Sequence, residues 1–96
     1  MITNAAYRQI MSSRANKKKR RYSIFGMPQY KARFADYIIW VNVADSGYED
    51  GYAIRGDKQL PQEIKDAVLL WITNSQYAQM DLQTYLNKIF NRIDYL

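Results

Sequence analysis

The spacing of apolar positions changes character twice along the chain. Near the start, Tyr7, Ile10 and Met11 fall at i, i+3 and i+4, with Arg14 at i+7, Ala5 and Ala6 preceding them and Thr3 or Asn4 placed to cap. That spacing predicts a helix with a narrow apolar face, continued or frayed through the cations that follow, because Lys and Arg favour helix while adjacent like charges repel. From Tyr22 the period becomes two. Tyr22 and Ile24 fall on one side and Ser23 and Phe25 on the other, until Gly26-Met27-Pro28 interrupts the run.

The stretch YKARFADYIIWVNV, residues 30–43, is the strongest strand candidate. Tyr30, Ala32 and Phe34 alternate with Lys31 and Arg33, and Tyr37, Ile39, Val41 and Val43 then oppose Ile38, Trp40 and Asn42. The parity slips at Ala35-Asp36, which predicts a bulge or a break into two strands. ADSGYEDG is a turn, and residues 52–55 are the return strand of an antiparallel hairpin. After Pro61, Ile64, Ala67, Val68, Trp71 and Ile72 form a helical stripe. Asp81 then caps a last helix with Leu82, Tyr85, Leu86, Ile89, Phe90 and Ile93 on one side.

These elements predict one α+β domain over residues 1–96: a basic helical arm at 1–21, a three- to four-stranded antiparallel sheet at 22–56, and helices at 61–74 and 81–94 packed on one face. With 96 residues, 48% of them hydrophobic and 15% aromatic, the chain has material for a single core. Trp40 and Trp71 are the expected anchors, meeting where helix covers sheet.

The chain contains no Cys and no His. Disulfides, zinc sites built on thiolate or imidazole, and nucleophiles activated by His are therefore excluded. Neither a signal peptide nor a long apolar run is present, so an intracellular, cytoplasmic protein with no membrane partner is expected. No cofactor, metal site or catalytic residue is expected. The acidic loop Asp45, Glu49 and Asp50 lacks the alternating ligands and terminal glutamate of a calcium loop.

Charge changes the picture most. The net charge of +5 is split: residues 1–35 hold nine cations and no acid, whereas residues 36–96 hold five cations and nine acids. At the centre of the basic segment lie Lys17, Lys18, Lys19, Arg20 and Arg21, flanked by Arg14, Lys31 and Arg33. Clustered cations suit phosphate contact by counterion release, and these eight residues are the candidate DNA, RNA or nucleoprotein interface. The same run fits a short nuclear-import signal in a eukaryotic setting, or a solvated helix end. Tyr22 and Tyr30, beside those charges, are candidates for base stacking on an exposed sheet, while Phe25, Phe34 and Tyr37 are assigned to the core.

Two other classes remain open. In size, in lack of Cys and His and in tyrosine content the chain resembles small phage accessory proteins, including anti-defence inhibitors such as anti-CRISPR proteins. That resemblance implies an inhibitor acting by direct protein contact, with Asp45, Glu49 and Asp50 as the residues facing a basic groove. A structural subunit of a larger assembly would instead use the arm for packaged nucleic acid and the last helix for its neighbours. The oligomeric state is not encoded in any of these patterns.

Overall fold

A computed structural model describes residues 2–44 and 51–96. Helix α1 (Asn4–Ser12) begins at Thr3, whose side chain accepts from the Ala6 N–H, and it buries Ala6 and Ile10. It does not run on through the cations. Ser13 takes an extended conformation and starts a second, short helix, α2 (Arg14–Lys19), by accepting from the Asn16 N–H. The basic segment is thus a separate helix, broken from α1 at Ser13.

Four strands follow in a meander: β1 (Arg21–Tyr22), β2 (Pro28–Phe34), β3 (Tyr37–Val43) and β4 (Tyr52–Gly56), all antiparallel and in the order β1-β2-β3-β4. The parity slip marks a break between two strands: Phe34 pairs with Tyr37, and Ala35 turns the corner with φ of 52°. Its N–H donates to Asp94 Oδ2 at 3.0 Å, so the chain's last segment holds the corner.

The strand expected over residues 22–25 shrinks to β1, because Ser23 organises a tight turn instead. Its carbonyl accepts from the Gly26 N–H and its hydroxyl from the Phe25 and Met27 N–H groups, while its own N–H donates to the Met27 carbonyl. Gly26 supplies the φ of 81° that lets the chain return.

The helices cover one face of the sheet. Helix α3 (Gln62–Thr73), entered through Pro61, buries the expected Ile64, Ala67, Val68, Trp71 and Ile72. A 3-10 turn (Tyr77–Gln79) leads to α4 (Leu82–Phe90), capped by Asp81, which accepts from the Thr84 N–H. This last helix is shorter than 81–94: Asn91 adopts the left-handed conformation (φ 54°), and the Arg92 N–H closes back onto the Asn87 carbonyl. Ile93 consequently leaves the helix and is 91% exposed rather than packed.

Inside, Tyr30, Ala32, Ile39, Val41 and Val43 of the sheet meet Ile10, Ile64, Trp71 and Leu86 of the helices in one core. The Tyr30 and Trp71 rings meet edge to face at 5.5 Å. Trp40 is not their partner. It lies one residue out of phase with Ile39 and Val41, so the alternation of a strand turns it to the opposite face.

Candidate nucleic-acid interface

Antiparallel pairing places cross-strand partners on the same face. The register therefore builds the uncovered side of the sheet in three rows. Arg21, Gln29, Asn42 and Ala53 form the first, Lys31, Trp40 and Arg55 the second, and Arg33 with Ile38 the third. Among the described residues of the strands, these outward positions include four cations and no acid. Lys31 Nζ lies 5.6 Å from the centroid of the Trp40 ring, so the aromatic surface carries a cation directly on it. Gln29 Nε2 donates to Asn42 Oδ1 at 3.1 Å, placing two side-chain amides beside the cations.

Arg33 is the least available of the four. Asp94, whose carboxyl sits below the usual range because Arg92 and then the Ala35 N–H bond it, also feels Arg33. Among the described residues, no strand lies beside the edge of β2 at this point. Gln83 of α4 fills the gap, accepting from the Arg33 N–H at 2.7 Å and donating to the Arg33 carbonyl at 2.9 Å. That pair of bonds imitates a ladder rung and closes the open edge.

The five consecutive cations do not act as a unit. Lys17, Lys18 and Lys19 are exposed, and Arg14, Lys17 and Lys18 line a shallow surface pocket. Arg21 joins the open face. Arg20 turns inward: its Nη2 donates to the carbonyls of Ile10 (3.1 Å) and Met11 (2.8 Å), and its Nε donates to the Tyr30 hydroxyl at 2.8 Å. Arg20 thereby takes a structural role, because the last turn of α1 leaves carbonyls that need a donor.

Tyr30, a stacking candidate in the sequence, is ruled out by burial. It is 1% exposed and buried against Trp71, so its ring offers no surface for stacking, and burial pushes its hydroxyl pKa up. Tyr22 is 61% exposed and keeps its candidacy. Phe25, assigned to the core, is 87% exposed at the tip of the Ser23 turn, while Phe34 and Tyr37 pack against the core as expected.

Helix α2 is fastened to the helical layer. Asn16 is buried and its Nδ2 donates to the Ala78 carbonyl at 2.8 Å, and the Ser13 hydroxyl donates to the Gln79 carbonyl. The three lysines are therefore mounted on a fixed element. Asp45, Glu49 and Asp50 lie outside the described residues.

Sequence reasoning missed Trp40, Arg55, Gln29 and Asn42. The period-two pattern did place Trp40 and Asn42 together opposite Val41, but only the strand register aligns them with Lys31, Gln29 and Arg55. Among the described residues, no group of acids is arranged to hold a metal ion, and no helix is long and apolar enough to cross a membrane. In comparisons with known proteins, no family model, curated protein or solved structure matches this chain.

Proposed function

We propose that this protein is a non-enzymatic nucleic-acid-binding protein whose basic N-terminal third and uncovered sheet face together contact the phosphate backbone. The observation that carries this reading is the open face itself: Lys31 and Arg55 flank Trp40, and Arg21 and Arg33 lie on the same face. No acid occupies an outward strand position described, the nearest in register being Asp57, just past β4, which accepts from the Ile38 N–H. Strand positions that carry cations on both sides of an aromatic ring suit an anionic chain ligand. Lys17, Lys18 and Lys19 on α2, with Arg14 at its start, add further exposed cations.

Binding of this kind is electrostatic and falls with salt. Each phosphate contact contributes about 0.9 to the slope of log affinity against log salt on a duplex and about 0.7 on a single strand. Fluorescence anisotropy with labelled DNA and RNA oligonucleotides, titrated at several salt concentrations, measures that slope. Substituting Lys31→Gln and Arg55→Gln together should lower it by about 1.5 while leaving the fold intact. Absence of association with both DNA and RNA at low ionic strength overturns the proposal.

A further inference from the structure

The Ser23 turn holds two large apolar side chains in water. Ile24 is 95% exposed and Phe25 is 87% exposed. This is not a loosely placed loop: the turn is closed by the hydrogen bonds of Ser23 to Phe25, Gly26 and Met27, and Gly26 has the positive φ that such a turn requires. Fixing the backbone in advance lowers the ordering cost of any contact made by the tip.

Below the tip runs a groove of about 530 Å³ lined by Tyr22, Phe25, Met27, Gln29, Asn42 and Arg55. Three kinds of chemistry meet there. Phe25 and Tyr22 bring aromatic surface and Met27 an adaptable apolar wall. Within the Gln29 and Asn42 amide pair, Gln29 Oε1 and Asn42 Nδ2 are the acceptor and donor outside their mutual bond. Arg55 supplies charge within the lining, and Arg21 lies beside Gln29 on the adjoining strand. Aromatic surface, a donor and acceptor pair and a nearby cation match the face, the edge and the phosphate of one nucleotide.

We infer that this groove is a nucleobase subsite, in which an unpaired base stacks on Phe25 and presents its edge to Gln29 and Asn42 while its phosphate meets Arg21 or Arg55. The inference rests on the nucleic-acid reading above and narrows it to single-stranded or unstacked segments. An anionic membrane would also welcome an apolar tip beside cations. It has no use for the Gln29 and Asn42 amides that also line the groove, and those amides favour the base.

The test compares wild type with Phe25→Ala and Phe25→Trp, neither of which disturbs a buried side chain. Three probes are used: a single-stranded oligonucleotide, inorganic polyphosphate, and phosphatidylserine vesicles. The subsite predicts that Phe25→Ala weakens oligonucleotide binding by about tenfold or more, that Phe25→Trp restores it, and that polyphosphate affinity is unchanged in both variants. Equal oligonucleotide affinity for wild type and Phe25→Ala overturns the subsite while leaving the phosphate-binding reading in place. Loss of vesicle binding alone in Phe25→Ala overturns it in favour of a membrane. If the wild type binds no oligonucleotide at low salt, both this inference and the reading beneath it fall.

Discussion

Arg20 donates from Nε to the hydroxyl of Tyr30 and from Nη2 to the last carbonyls of α1, tying the end of the basic run to the aromatic centre of the core. One guanidinium thus bridges α1, α2 and β2. Its neighbours Lys19 and Arg21 are exposed and make no comparable set of bonds. Arg20→Ala should therefore cost about 2 kcal/mol in urea denaturation, the scale of hydrogen bonds to a charged group, whereas Lys18→Ala should stay within about 0.5 kcal/mol. Arg20→Lys should recover only part of the loss, since an ammonium cannot span the same fork of acceptors.

The two tryptophans separate cleanly. Trp71 is fully buried and its indole Nε1 donates to the Met80 carbonyl at 3.0 Å, while Trp40 sits half-buried on the open face. Trp71→Ala should destabilise by about 3 to 5 kcal/mol. Trp40→Ala should cost clearly less than that in the same denaturation experiment, and its larger effect should appear in oligonucleotide affinity.

Gln83 substitutes for a missing strand beside Arg33. Gln83→Ala strands one backbone donor and one acceptor at a partly covered edge, with an expected loss of about 1 to 2 kcal/mol. Amide hydrogen exchange is the sharper check. The Arg33 N–H should exchange faster in the variant, while the amides of β3 keep their protection.

High pH should unfold the protein partly through Tyr85. Burial pushes its pKa from 10.0 up to about 12, and its hydroxyl donates to the Ala67 carbonyl in the core. Below pH 10 both folded and unfolded chains keep this proton and the contribution is complete. Between pH 10 and pH 12 the unfolded chain releases it first, so stability falls as pH rises. Tyr85→Phe should be less stable near neutrality by about 1 kcal/mol, yet lose less stability across that alkaline interval in pH-dependent denaturation.

Much of the fold was legible because it rests on local rules. Apolar alternation over residues 30–43 located β2 and β3, and the parity slip at Ala35-Asp36 marked the corner between them. The stripe from Ile64 to Ile72 gave α3, and Asp81 announced α4. The concentration of positive charge in the first 35 residues is likewise a property of the sequence alone.

The placement of individual candidates was decided only in three dimensions. Strand periodicity puts Trp40 opposite Val41 without saying which side the helices will cover, so burial of one and partial exposure of the other await the packing of α1, α3 and α4. Arg20 looks like any of its four basic neighbours until the end of α1 offers it carbonyls. Phe25 fits a strand pattern, but the hydroxyl and carbonyl of Ser23, with Gly26 at positive φ, bend the backbone into a turn and leave the ring in water. Composition and period determine which residues exist to fill a core or bear a charge, because those signals are carried between near neighbours. Which of them face solvent depends on contacts between segments far apart in the chain, and only the tertiary structure brings those together.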